Sequence, residues 1–498
     1  MTFSRRFFIV TGIATGAATS GALAKSAGTV AAPRPYGSLP SERQLRWGEM
    51  EIYNFLHFTI NTFTDKEWGY GDESPALFNP TAFDADAILS TLKDFGSRGV
   101  ILTCKHHDGF CLWPTKTTER SVKNSPFRQG KGDVVKDISE AAQRHGLKFG
   151  VYVSPWDRSQ PTYGQPEYIR IYRQQISELL TGYGPIFEIW HDGANGGDGF
   201  YGGVREKRII DKLHYYDWAN TWQMERKLQP NAVLFSDVGP DIRWVGNEKG
   251  VAGDPCWATY TPVAPDGGPG SPGNIKEGEA TSGTRNGKFW MPAECDVSIR
   301  PGWFWHEAEN SKVKTSQELL KLYYDSVGRG ASFLLNVPPD RRGLIDEADA
   351  ASLRGFGKQM RQIFSRNLAK RANGIAASNV RGNDGTYEPK SLLDESLETY
   401  WATDDEVSMA DVVFTFSQST EFNVVRIREN IRLGQRVSRF AVDVWIDNDW
   451  RLFDEGTSIG QCRVLRSISP IRTAGVRLRV IESPVCPAIS EFSLFLDL

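Results

Sequence analysis

The chain has only six cysteines in 498 residues, and no two of them form a C-x-x-C pair. That spacing argues against the common zinc and dithiol redox sites. Charge of either sign is never in excess: 58 Lys and Arg stand against 61 Asp and Glu, for a net of -3. A chain this neutral carries no basic footprint for nucleic acid and no acidic tail. Beyond the N-terminus no stretch stays apolar over the ~20 residues a membrane helix needs, so no membrane insertion is expected. No glycine-rich nucleotide loop follows the first strand-like run, which disfavours a doubly wound dinucleotide fold. Histidine is scarce, with seven in all, so places where several gather carry weight.

What is present is a chain able to bury a large core, with 40% hydrophobic and 24% charged residues. Its length suits one large domain plus an accessory one. Residues 1–24 read as a targeting segment: Ser4-Arg5-Arg6-Phe7-Phe8-Ile9, a Gly/Ala-rich apolar run, then Ala22-Leu23-Ala24 as an A-x-A cleavage site. The Arg pair is like a twin-arginine signal, and export to the periplasm or beyond is expected. Residues 25–40, small and Pro-containing, read as a linker.

From residue 41 to about 370, short apolar runs alternate with amphipathic stretches. Strands are expected at 52–60, 100–105, 149–155, 187–192, 232–237, 289–299 and 333–337, and helices at 82–95, 134–144, 168–180, 207–227 and 316–327. Continuously apolar strands alternating with helices indicate parallel βα units, and about seven of them predict a (β/α)8-like barrel, in an irregular form. Residues 371–498 change to short alternating segments between turns, an all-β pattern that predicts a sandwich or jelly roll. Cys462 and Cys486 flank strand-like segments there, which leaves a disulfide between them open.

Active sites of βα barrels lie at the C-terminal ends of the strands, and here those ends are unusually polar. They read Leu56-His57-Phe58, Lys105-His106-His107-Asp108, Tyr152-Val153-Ser154 and Trp190-His191-Asp192-Gly193. The loop after the first strand holds Glu67-Trp68, and Phe235-Ser236-Asp237 leads to Arg243 and Glu248. The His pair lacks a third ligand, so hydroxyl recognition suits it better than a metal. Asp192 reads either as a catalytic carboxylate or as a cap of the turn at Gly193. The 15 Trp favour a carbohydrate cleft only slightly, since large cores also use Trp.

Taken in order, His57, Glu67-Trp68, His106-His107-Asp108-Gly109-Phe110, Trp190-His191-Asp192-Gly193 and Arg243 to Glu248 resemble glycoside hydrolase family 29, the α-L-fucosidases. The resemblance spans about residues 40 to 370 and implies a cofactor-free exo-glycosidase. Members retain configuration with two carboxylates about 5–5.5 Å apart. Asp192 then aligns with the nucleophile and Glu248 with the acid/base, with Glu294 as the alternative. His57, Glu67, Trp68, His106, His107, Trp190, Tyr152 and Arg243 fall in the substrate-binding set, and Trp303 and Trp305 are either aglycone contacts or packing residues. The stretch 239–248 resembles the subfamily selective for α-1,3/1,4-fucose on branched, Lewis-type or N-glycan oligosaccharides. Residues 392–403 resemble discoidin (F5/8 type C) domains, so the last domain is carbohydrate-binding-module-like or a packing module. Two other readings stay open: a fucose-binding protein on an inactive hydrolase fold, and a broad-specificity α-L-fucosidase.

Overall fold

The computed structural model describes residues 30–497; the twin-arginine and cleavage motifs lie outside the described residues. Eight parallel strands close a barrel: β1 (Ile52–Leu56), β2 (Gly99–Lys105), β3 (Lys148–Val153), β4 (Glu188–Trp190), β5 (Val233–Ser236), β6 (Ile242–Trp244), β7 (Ala293–Ser298) and β8 (Ser332–Asn336). They run in sequential order, each beside the next, with β8 returning to β1. The strands are buried along almost their whole length, because the barrel interior covers one face and the helices the other. Inside sit Tyr53, Phe55, Ile101, Tyr152, Trp190, Phe235 and Leu334.

The helices follow from local signals. In Ala85–Phe95 the Asp84 carboxylate accepts the Ala87 N–H, and Ile88, Leu89, Leu92 and Phe95 form the buried stripe. In Val134–His145, Asp133 caps Lys136 N in the same way. The barrel is irregular at one place: β5 and β6 are joined by a short turn with no helix between them. That is why β6 escaped the sequence reading, which had only a three-residue strand to find.

Two expected elements differ. The helix expected at 207–227 begins only at Trp218, and residues 206–208 instead pair antiparallel with 197–199. The strand expected at 289–299 is broken at Pro292, which has no N–H for the ladder. Phe289–Trp290 pair with Thr259–Tyr260, and β7 starts at Ala293.

After the helix Glu347–Phe364, a seven-stranded antiparallel sheet forms the C-terminal β domain. Its two 20-residue strands, Ala410–Glu429 and Arg463–Glu482, pair with each other through register shifts near 415–424. The bends fold the sheet around Trp401, Phe414, Phe440, Val442, Leu478 and Phe492 as a β-sandwich. Four of its residues, Val424, Cys462, Val464 and Phe495, join the apolar cluster of the barrel's helices. Cys462 and Cys486 are both free thiols, so the disulfide left open is not formed. From Pro33 on, the expected linker is fastened down: Tyr36 N–H donates to Leu433 O at 2.9 Å, and Arg436 reaches the Arg34 carbonyl.

Candidate active site

A cavity of about 430 Å³ opens at the C-terminal ends of the barrel strands, lined by His57, Trp68, His106, His107, Tyr152, Trp190, Asp192 and Glu248. Phe55, Asp237, Trp244, Asp296, Trp303 and the segment 273–277 complete its wall. A hollow of about 610 Å³ at the opposite end, around Trp47, Phe149 and Phe187, brings no such set of acids and imidazoles together.

Alternation along the strands decides who faces the cavity. On β4, Glu188 and Trp190 point into the barrel and Ile189 points out to the helices. Asp192, two residues past Trp190, therefore arrives at the mouth. Its Oδ2 accepts the Tyr152 hydroxyl at 2.7 Å and its Oδ1 the Ala194 N–H at 2.6 Å. Burial lifts this carboxyl above the usual Asp range, and those two donors oppose the lift.

Glu248 sits in the loop after β6, where Trp303 Nε1 donates to it at 3.4 Å. Burial raises its carboxyl, the Asp192 and Glu67 charges push the same way, and only the Trp303 bond opposes them. Asp296, held by Trp244 Nε1 at 2.8 Å, is driven well up by burial and then by Glu248 and Glu294. Asp237 is pushed to about 7, mainly by burial.

The imidazoles are neutral. Burial pulls His57 and His107 down to about 3 and His106 well below its usual value. Their partners fix the tautomers. His57 Nδ1 meets the Asn336 carbonyl oxygen at 2.9 Å, so Nδ1 carries the proton and Nε2 keeps a lone pair. His107 Nδ1 lies 2.7 Å from Ser154 Oγ, whose own proton goes to Trp156 O. That leaves His107 Nε2 as an acceptor too, 3.9 Å from Asp192 Oδ2. His106 Nδ1 faces the Asn61 amide N–H at 3.4 Å, so its Nε2 is a donor. Two acceptors and one donor on one wall suit a ligand with several hydroxyls.

Glu294, Arg243, Glu67 and Trp305, all named from sequence, lie outside the cavity lining. Glu294, in the barrel one layer below Asp296, is fully buried. It accepts Trp190 Nε1 at 2.7 Å and the Tyr53 hydroxyl, and it pairs with Glu188, so it has no access to the cavity. Arg243 points out of the barrel, because β6 places only Ile242 and Trp244 inside; its guanidinium donates to the Ala280 and Met291 carbonyls. Glu67 stands behind the wall and accepts the Trp303 and Phe304 N–H groups at 2.8 and 3.1 Å, thereby holding the Trp303 loop. Trp305 is turned away, bonded to Asp346 at 3.2 Å. Trp68 is 51% exposed at the rim, edge-on to His107 and Trp156. In the sequence Asp237 is marked only as part of a polar strand end, without a role, and Asp296 is not singled out; the signal available is their position at or near the end of a barrel strand.

The sequence matches the family described as alpha-L-fucosidase over residues 35–363. It is 43% identical to alpha-L-fucosidase 1 of Arabidopsis thaliana over 470 residues, 93% of this chain and 89% of that protein. Among solved structures, a glycoside hydrolase 29 family member from an unknown rumen bacterium is 40% identical, with a TM-score of 0.81, covering 93% of this chain and 78% of that one. A GH29 fucosidase of Ruminococcus gnavus in complex with fucose is 33% identical, with a TM-score of 0.82, over 94% and 97% of the two chains.

Proposed function

The chain belongs to the α-L-fucosidase family, and on that premise we propose that it hydrolyses α-L-fucosides with retention, Asp192 as nucleophile and Glu248 as acid/base. The observation that carries this reading is the shared cavity: these two carboxylates face it in different environments, whereas Glu294 is sealed below its floor. A binding-only role finds no support in a cavity that keeps both acids.

In the first step the Asp192 carboxylate attacks the anomeric carbon while Glu248 gives its proton to the departing oxygen. The glycosidic bond breaks and a fucosyl ester on Asp192 forms. In the second step the Glu248 carboxylate takes a proton from water, the water oxygen attacks the same carbon, and Asp192 leaves. Two inversions give net retention. A raised Glu248 carboxyl suits the donor role, since it must start protonated near neutral pH. The Tyr152 and Ala194 donors stabilise Asp192 as the charged nucleophile and leaving group. His57, His106 and His107 hold the sugar hydroxyls, with Trp68 and Trp190 as apolar contacts.

The substrates are α-1,3/1,4-linked fucose on branched oligosaccharides, as the likeness of residues 239–248 to that subfamily implies. The motif at residues 4–24 supports export, and residues 371–498 form the carbohydrate-binding-module-like, discoidin-type domain. Release of fucose from a Lewis-type trisaccharide, an α-1,2-fucosylated lactose and an aryl α-L-fucoside, compared under one set of conditions, tests the linkage. Fast release from the branched trisaccharide over the lactose derivative is expected. Equal rates from the trisaccharide and the lactose derivative, or broad activity led by the aryl fucoside, discard the linkage and keep the fucosidase.

A further inference from the structure

The cavity wall next to Glu248 is made by the segment 265–277, which contributes Pro265, Gly273, Asn274, Ile275 and Glu277. This Gly/Pro-rich stretch carries a single short helix at its end, Glu277–Ser282. Backbone bonds such as Asn274 N–H to Ser271 O at 2.8 Å and Lys276 N–H to Val263 O at 2.9 Å shape the loop itself, and Asp237 is at the centre of what fastens it to the barrel. Its Oδ2 accepts the Gly273 N–H at 2.5 Å. Lys212 Nζ donates to the Gly273 carbonyl at 2.7 Å, and Asn195 Nδ2 donates both to Pro272 O at 3.1 Å and to Gly193 O at 2.9 Å.

The two loops interlock so closely that side chains are excluded. A β-carbon on Gly193 would overlap the Asp237 carboxylate, and one on Gly273, which has φ +76°, would overlap the Gly193 carbonyl. The segment is thus fastened onto the residue that directly follows Asp192. Around the barrel, Asp237 at the end of β5 lies between Asp192 after β4 and Glu248 after β6. The His57, His106 and His107 wall comes from β1 and β2, away from this side. The group that Glu248 protonates is the leaving group, so the 265–277 segment borders the space the leaving group occupies.

We infer that Asp237 is a positioning residue for the leaving-group side, clamping the 265–277 segment against the Asp192 loop and thereby setting which aglycones the enzyme accepts. The inference rests on the assignment of Asp192 and Glu248 above. A bulky branched oligosaccharide depends on a fixed wall; a small aryl group with its own leaving tendency depends on it less. Asp192 and Glu277 face the Asp237 carboxylate as like charges, while Lys212 and the Gly273 N–H offset them.

The test compares kcat/KM for a Lewis-type trisaccharide and an aryl α-L-fucoside in wild type, Asp237→Ala and Lys212→Met. The ratio of the two values does not depend on the fraction of active protein. Losing a hydrogen bond to a charged group is expected to lower that ratio at least about tenfold in Asp237→Ala. Lys212 fastens the segment without lining the cavity, so Lys212→Met should lower the ratio about threefold or more. Both variants should also be cut faster within 265–275 by a protease than wild type. A ratio unchanged in Asp237→Ala overturns the inference. So does a ratio that falls in Asp237→Ala alone, because Asp237 then acts by touching the substrate rather than through the loop. Failure of wild type to release fucose from either substrate instead strikes the fucosidase reading itself.

Discussion

At the residue scale, the site depends on which groups are charged and what holds them so. Asp192 is useful only when ionised, and its Tyr152 bond opposes the lift that burial gives its carboxyl. Tyr152→Phe removes that opposition, so the Asp192 carboxyl rises further. Activity that needs the carboxylate is lost as pH falls through its pKa, so the acidic limb of kcat/KM should move to higher pH. A fall of about tenfold at the optimum should accompany it, the size of one lost charge-assisted bond. A pH profile identical to wild type would show that the hydroxyl does not govern the nucleophile. The three imidazoles were legible in the sequence because seven histidines in 498 residues rarely fall together on strand ends by chance. Asp237 and Asp296 were harder to read, since a single carboxylate near a strand end most often caps a turn.

At the scale of the element, two-residue alternation separates what the sequence could not. Glu294 and Asp296 share β7 and both point inward, but one layer apart. The upper one meets the cavity, while the lower one holds Trp190, which stacks against Tyr152 with ring centroids 5.1 Å apart. Arg243 enters the site set through the family resemblance of the stretch from Arg243 to Glu248; on β6 it takes the outward face. That could not be read without recognising a three-residue strand. Glu294→Ala would leave the Trp190 donor unpaired at the centre of the barrel and the Tyr53 hydroxyl with Ser332 Oγ at 3.0 Å as its remaining partner, and would open a cavity there, a loss of about 3 kcal/mol in stability. Glu294→Gln, which still accepts the Trp190 bond, should keep most of the activity, measured on an aryl fucoside beside thermal unfolding. Loss of turnover in Glu294→Gln with stability intact would return Glu294 to the role of acid/base. The 265–277 stretch is recognisable in the sequence as a Gly/Pro-rich loop of the kind that shapes a cleft, but what fastens it is not, because those contacts, from Asp237, Asn195 and Lys212, are distant in sequence.

At the scale of the whole molecule, the alternating and then all-β patterns sufficed to predict a barrel followed by a sandwich, because apolar periodicity reports fold class directly. They could not report how the two associate. The β-sandwich places Val424, Cys462, Val464 and Phe495 in the barrel's own apolar cluster, and Arg428 forms an ion pair with Glu51 just ahead of β1. A further pair joins Arg463 to Asp254 at 2.7 Å. A chain cut after residue 370 should therefore melt roughly 10 °C or more below the full chain, or fail to stay soluble. An unchanged melting temperature and full activity in the shortened chain would show the barrel to be self-sufficient.

The most direct test of the central claim is the product formed by Asp192→Ala with an aryl α-L-fucoside and azide. Turnover should fall about a thousandfold or more without azide. Added azide should restore part of it and yield β-L-fucosyl azide, because a small anion then attacks from the face the carboxylate has vacated. Near-wild-type turnover in Asp192→Ala, or no rescue and no fucosyl azide, would contradict Asp192 as the nucleophile.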